Sequence, residues 1–433
     1  MKLEHVKNSR AYARALRKAK SYVKDRESLL RLAERAWLRG QKYPVAAMAG
    51  VWQSAKDLIR LVKAYARGEY RDVSWQALLL MVTALVYFVI PTDLIPDILL
   101  GWGFVDDATL LGWVTTSCKA EIDQFLQWEI KKKRENMRQD EPVKTHYDIN
   151  GVGLNVYEWK GEGDPLLLFH ATGFHGRCWD QIIHRLPHDA HVFAVDAPGH
   201  GLSESPQMPF TWDALSEDMA QLVEILDLDN ISIVGHSFGG YAATMVAARM
   251  PERFKQVMLL DPAILDPALL ELIQSMEEME HPVARRRNKW ISVSQMVDAF
   301  AQREPYSEWD RQVLEDYCRY GLQPSDGEAE FELACPPLVE AEIYVQSGCG
   351  SACTEAAKVT APVQIIRARD RREDDPPFDF SPSPTWSTLH TLFKNAEDHQ
   401  LKDMSHFFPM EQPAKLAQLI QQWRVDGSVN WPG

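Results

Sequence analysis

Cysteine is scarce and scattered in this chain. Six thiols occur in 433 residues (Cys118, Cys178, Cys318, Cys335, Cys349 and Cys353), with no C-x-x-C pair and no Cys/His spacing suited to zinc. That excludes a zinc-stapled fold and a dithiol redox centre, and predicts reduced thiols in a cytosolic setting, with Cys349 and Cys353 a pair that could still join. The first twenty residues, MKLEHVKNSRAYARALRKAK, lack an apolar stretch, so no secretory signal is expected. No nucleic-acid recognition motif accompanies the basic residues, which argues against a nucleic-acid partner. No motif calls for a cofactor or a metal.

Charge is unevenly distributed. The net charge is −14, yet residues 1–71 carry 18 Lys and Arg against 6 Asp and Glu, so that segment is +12 and the remainder −26. The length suggests more than one core. Residues 1–140 read as a small all-α domain and 141–433 as a second domain, with KKKRENMRQDEPVKT as the linker. Within 8–68, apolar positions at helical spacing (Leu29, Leu32, Ala36; Leu58, Leu61, Val62) among Arg and Lys predict two basic amphipathic helices.

From Val73 to Thr92 no residue is charged, a length close to that needed to cross a hydrocarbon core. Further apolar stretches follow at Leu94–Val105 and Ala108–Cys118. A membrane-embedded or re-entrant hairpin and the buried helix of a bundle are both open. The basic flanks predict association with the cytoplasmic face of a membrane. Asp93, Asp97, Asp106 and Asp107 lie in or beside these stretches, where they cap helices, meet the basic helices, or form a cation site. The stretch YFVIPTDLIPD with GFVDD resembles the signature of the YkvA-like bacterial domain of unknown function, over residues 70–120. That resemblance implies a small helical, membrane-associated unit without assigned chemistry.

Beyond residue 143 strand and helix patterns alternate. Strands are expected at 144–149, 153–159, 165–170, 191–196, 231–236, 256–261, 363–369 and 399–403, with helices near 177–186, 212–227, 240–250 and 412–423. Antiparallel strands first and alternating β and α units later predict a doubly wound, mostly parallel α/β sheet, whose ligands bind at the carboxyl ends of the strands. In ISIVGHSFGG the run Gly235-His236-Ser237-Phe238-Gly239 is a G-x-S-x-G turn between a strand and a small-residue helix, which makes Ser237 the candidate nucleophile. In LKDMSHFFPMEQP, His406 follows a strand and precedes a helix, and is the candidate general base, with His170 and His399 as rivals.

These segments together resemble the α/β-hydrolase superfamily over residues 145–425. The resemblance implies a helical cap at about 264–356 and a triad in the order Ser, Asp, His. It places the acid at Asp370, after APVQIIRARD, with Asp261, Asp374 and Asp375 as alternatives. It implies an oxyanion hole from the backbone N–H groups of Thr172 and Phe238, with Ala171 standing where the family usually has glycine. Asp196, Gly199, His200 and Gly201 are expected to fix a loop. The implied activity is hydrolysis of a carboxylic ester through an acyl-enzyme, without cofactor. Carbon–carbon bond hydrolysis, thioester or aminopeptidase chemistry, and a non-catalytic adaptor remain alternatives. Aromatic residues of the cap (Trp290, Phe300, Tyr306, Trp309, Tyr317, Tyr320, Phe331, Tyr344) suggest a small-molecule substrate with an apolar acyl or aryl group. Arg285-Arg286-Arg287 reads as a solvated charge run. The oligomeric state stays open.

Overall fold

The computed structural model describes residues 9–40, 45–89, 103–135, 138, 140–266, 281–325, 331–346, 351–373, 375 and 379–432. The chain forms two units, Met1–Glu135 and Asn136–Gly433. Arg138 already belongs to the second, its N–H bonded to the His184 carbonyl at 2.9 Å and its guanidinium buried against the Ala190 and Lys160 carbonyls.

In the first unit, small apolar residues recur every three or four positions between Arg and Lys, and three helices form where the sequence suggested two: α1 (Arg10–Tyr22), α2 (Arg26–Gly40) and α3 (Val45–Arg67). The extra break is local. The Asp25 carboxylate accepts the Ser28 N–H at 3.0 Å and so starts a new helix after Tyr22. The uncharged run becomes α4 (Trp75–Val89), capped by Ser74, whose hydroxyl accepts the Ala77 N–H at 3.2 Å. Nine of its fifteen residues are buried, packed against Ala15 and Ala19 of α1, Leu32 and Ala36 of α2, and Leu58 and Val62 of α3. A helix apolar on all sides belongs in a core. No helix among the described residues is long and apolar enough to cross a membrane. Helices α5 (Gly103–Ser117) and α6 (Lys119–Glu135) follow, so the first residues of the expected linker are helical. Asp93 and Asp97 lie outside the described residues, as do the side chains of Asp106 and Asp107. Among the described residues no group of His, Cys, Asp or Glu is arranged to hold a metal.

The second unit is built on strands β1 (Val143–Ile149), β2 (Val152–Trp159), β3 (Pro165–Phe169), β4 (His191–Val195), β5 (Ile231–His236), β6 (Phe254–Leu260), β10 (Val363–Arg367) and β11 (Ala396–Gln400), in the order β1-β2-β4-β3-β5-β6-β10-β11. β1 and β2 pair antiparallel, β2 meets β4 antiparallel, and the other pairs are parallel. The continuous apolar runs of β3, β5 and β6 are what a sheet covered on both faces requires. Helices α7 (Trp212–Leu226) and α8 (Phe238–Arg249) cover one face, while α12 (Pro413–Asp426) and Trp179 cover the other.

The cap is not wholly helical. Between α9 (Val293–Phe300), α10 (Arg311–Tyr320) and α11 (Pro337–Val345) it carries a small antiparallel sheet of β7 (Lys289–Trp290), β9 (Phe331–Leu333) and β8 (Leu322–Pro324). Strands of two or three residues are too short to leave a period-two pattern in the sequence. Cys349 lies outside the described residues, whereas Cys353 is a free thiol.

Candidate active site

The turn after β5 is sterically closed to anything but glycine at two positions. A Cβ on Gly235 would fall onto the Gly239 backbone, and one on Gly239 would fall onto the carbonyls of Phe169 and His170. This close passage of strand and helix forces Ser237 to φ 55° and ψ −116°, a conformation costly for a residue with a Cβ. Hydrogen bonds hold the strained residue: its N–H donates to Leu260 (3.1 Å), and its carbonyl accepts from Gly240 (2.9 Å) and Ala263 (3.0 Å).

Next to β5 in the sheet, β6 delivers Asp261, fully buried at the strand end. Its Oδ2 lies 2.6 Å from Nδ1 of His406, while Oδ1 accepts the Ala368 N–H (3.0 Å) and the hydroxyls of Ser383 and Thr385 (3.2 Å for the latter). Burial alone would raise this carboxyl. The hydrogen bonds and charge of His406, with the donors from Ser383 and Ala368, outweigh that and hold it below the usual carboxylate range. An ionised acceptor at Nδ1 fixes the proton there and leaves the lone pair on Nε2. His406 is held from both sides of its backbone: its N–H donates to Ser381 (2.7 Å), and its carbonyl accepts from Nε2 of His236 (2.9 Å), the residue before Ser237. Burial, with the neighbouring His406, pushes His236 down to about 3, so it stays neutral.

The expected acid does not reach this place. Asp370 has a side chain 71% exposed and pairs with Arg367 at 3.5 Å. The reason is register: β10 ends at Arg367, three residues before Asp370, and Arg367 is clamped by Asp398 of β11 at 2.7 and 2.8 Å. The chain beyond then folds back so that Ser383 and Thr385 meet Asp261. Asp375 pairs with Arg369 at 2.7 Å, and Asp374 lies outside the described residues. Asp261 was legible as the end of VMLLD, an acid closing an apolar strand beside the nucleophile's strand.

The turn after β3 is fastened by two buried histidines. Nδ1 of His170 bonds the Ala171 carbonyl (2.8 Å) while Nε2 accepts the Ala197 N–H (2.9 Å). Nδ1 of His200 bonds the Pro198 carbonyl (3.1 Å) while Nε2 accepts the Gly173 N–H (3.0 Å). Both rings are consumed in holding backbone, which takes His170 out of contention as the base. His399 is engaged with Gln364 on β10 and β11 (2.6 Å). Asp196 accepts the N–H groups of Gly176 (2.6 Å) and Leu202 (2.8 Å) and an amide hydrogen of Asn155 (2.9 Å), which ties the loop after β4 to the same turn. With the N–H of Gly173 and of Phe174 occupied, the buried Thr172 N–H has no partner among the described residues. Phe238 opens α8, so its N–H precedes the intrahelical ladder.

Aromatic side chains wall this end of the sheet. The Phe174 ring lies 5.4 Å from Trp309, 5.5 Å from Tyr317 and 6.1 Å from His236. Arg286, one of the three arginines read as a solvated run, has a side chain only 18% exposed. It pairs with Glu340 (5% exposed) and donates to the Tyr317 hydroxyl at 3.2 Å. Glu340 sits directly over Gly173, at φ 77° in the turn after β3, where a Cβ would strike its carboxylate. Burial raises the Glu340 carboxyl, and Arg286 offsets this only in part. Arg287 instead lies over the Trp290 ring at 4.0 Å.

Comparison with known proteins identifies the fold family. The profile of the alpha/beta hydrolase family matches residues 166–419, and that of a protein family of unknown function, DUF1232, matches 77–113. A 2-(acetamidomethylene)succinate hydrolase of Mesorhizobium japonicum is 27% identical over 238 residues, which is 54% of this chain and 80% of the relative. The uncharacterized membrane protein YkvA of Bacillus subtilis is 35% identical over 79 residues, 18% of this chain and 74% of the relative. Among solved structures, E-2-(acetamidomethylene)succinate hydrolase aligns with a TM-score of 0.53 at 21% identity, covering 65% of this chain and 99% of that one, a likeness of fold.

Proposed function

This chain belongs to the alpha/beta hydrolase family, and from that premise we propose that it is a serine hydrolase cleaving a carboxylic ester through an acyl-enzyme. One observation carries the reading: a serine held at positive φ on a glycine-bounded elbow, with a histidine beyond it whose Nδ1 is 2.6 Å from a buried, fully hydrogen-bonded aspartate. Ser237 Oγ attacks the carbonyl carbon while His406 takes the hydroxyl proton, and Asp261 supports the imidazolium that forms. The N–H groups of Thr172 and Phe238 receive the developing oxyanion. His406 then protonates the departing alcohol. Water, activated by the same imidazole, releases the acid and restores Ser237.

The aromatic wall of Phe174, Trp309 and Tyr317 favours an apolar acyl or aryl group. The Mesorhizobium relative, named for a succinate derivative, is the reason to test a dicarboxylate substrate beside simple esters. For the helical unit the reading is attachment to the cytoplasmic surface of a membrane through basic helices rather than by a span, supported by the charge of residues 1–71 and by the Bacillus relative's name.

The test is a panel of p-nitrophenyl esters of rising chain length, with fluorophosphonate labelling of wild type and Ser237→Ala. Wild type is expected to label and to turn over, and the variant to lose about 10⁴-fold or more in kcat with no label. Activity of Ser237→Ala within tenfold of wild type would overturn the assignment, and an unlabelled, inactive wild type would point to a non-catalytic binding module.

A further inference from the structure

The helical unit contains a cleft of about 300 Å³ where α1, α2 and α4 converge. Lys18 from α1 and Arg31 and Arg35 from α2 form its cationic wall, and no carboxylate is among its described lining residues. Neither the Lys18 ammonium nor the Arg35 guanidinium makes a hydrogen bond or ion pair among the described residues; Lys18 lies only against the Tyr22 ring, at 5.6 Å. Arg31 leans on Glu27 (3.1 Å) and Asp25 (3.8 Å), but all three side chains are more than half exposed, so these pairs are weak and exchangeable. Lys18 and Arg35 are thus the two cleft cations without a counter-ion among the described residues. The Tyr22 hydroxyl adds a neutral donor, while that of Ser28 is engaged by Asp25 and Arg31, and the buried Leu32 and Val86 contribute an apolar lining.

We propose that this cleft binds a phosphate ester with an aliphatic stem, and specifically the headgroup of an anionic lipid. The cations and the Tyr22 hydroxyl match phosphate oxygens. The apolar lining matches the adjoining methylene groups, which a bare inorganic anion would leave unused. The volume is that of a small-ligand site. This deepens the membrane-surface reading of the helical unit and leaves the hydrolase chemistry untouched.

The experiment uses the full chain and flotation with phosphatidylcholine vesicles, with and without phosphatidylglycerol, alongside calorimetric titration with glycerol phosphate. Lys18→Gln/Arg35→Gln removes two cleft charges. Lys20→Gln/Arg26→Gln removes two from the same helices outside the cleft and serves as the matched control. The expected result is binding to phosphatidylglycerol vesicles only, with the cleft variant losing about tenfold more affinity than the control, while all variants hydrolyse a water-soluble ester at the wild-type rate. Glycerol phosphate binding that the cleft variant loses, without vesicle binding, would support the cleft with a soluble ester as its ligand and remove the membrane reading. Equal losses from both variants would overturn the cleft and leave attachment by diffuse charge. Absence of binding in both assays would overturn the proposal outright.

Discussion

The two units treat polar groups in opposite ways. Among the helical unit's described side chains few polar groups are buried: the Thr83 hydroxyl is satisfied within its own helix by the Leu79 carbonyl at 2.6 Å, and the Tyr70 hydroxyl donates to the Asp72 carbonyl at 2.9 Å. The hydrolase unit buries His170, Thr172, His175, Arg177, Asp180, Asp196, His200, His236, Asp261, Glu340 and His406 among others, gathered largely at the carboxyl ends of its strands and under the cap. Burying such groups is expensive unless each is hydrogen-bonded. The hydrolase unit has therefore committed stability to a rigid polar network, whereas the helical unit holds most of its described charged side chains at the surface, where they are cheap to hold. Rigid geometry suits bond cleavage, and exposed cations suit recognition of an anion.

The sharpest way to break the comparison is to test whether the buried acid is the one that counts. Asp261→Asn should lower kcat for ester hydrolysis by about 10³- to 10⁴-fold, because the imidazole would lose both its tautomer and its counter-charge. Asp370→Asn should stay within about threefold, its carboxylate being exposed and paired only with Arg367. Steady-state kinetics of the two variants decide it, and the reverse order would return the acid to the loop after β10.

A smaller effect is expected from the buried pair over the turn after β3. Glu340→Gln leaves the Arg286 charge without its counter-ion and should cost about 3–5 kcal/mol in a denaturant titration, whereas Arg286→Met with Glu340→Gln should recover most of it. A loss under ~1 kcal/mol for the single change would mean that solvent reaches the pair freely.

In the helical unit the corresponding probe is apolar. Leu85, fully buried in α4, replaced by Ala should cost about 2–5 kcal/mol through the cavity left behind, while kcat on a soluble ester stays unchanged. A parallel fall in activity would show that the two units are energetically coupled, against the division drawn above.

The smallest effect concerns pH. Burial, offset in part by backbone hydrogen bonds at Pro198 and Ala197, pushes His200 down to about 4. Below its unfolded value of about 6.5 the unfolded chain takes up a proton that the folded chain refuses, so wild type loses stability as pH falls from 6.5 toward 4. His200→Asn removes that loss. The variant should be less stable at pH 8, with the gap narrowing by up to about 1.4 kcal/mol per pH unit as pH falls through this window. A constant gap in denaturant midpoints from pH 8 to 4.5 would mean that the folded ring protonates normally.

Much of the hydrolase unit was readable from neighbouring residues alone. The apolar runs of β3, β5 and β6 and the glycines around Ser237 act over a few positions, and the steric demand that selects Gly235 and Gly239 is satisfied within one strand, one turn and one helix. His406 was legible for a similar reason, as a histidine between a strand and a helix near the end of the alternating pattern. What only the tertiary structure decided involves partners far apart in the chain. Which aspartate meets His406 is set by where β10 stops and by a loop that brings Ser383 and Thr385 back to Asp261, more than 120 residues away. Arg286 is a buried ion-pair member rather than a solvated charge because α11 carries Glu340 across the turn after β3. The described part of the uncharged run, Trp75–Val89, packs in the core of a helical bundle because α1, α2 and α3 turn their apolar faces onto it. In each case composition allowed two outcomes of similar local energy, and long-range packing, which removes the apolar surface from water and satisfies the buried polar groups, selected one.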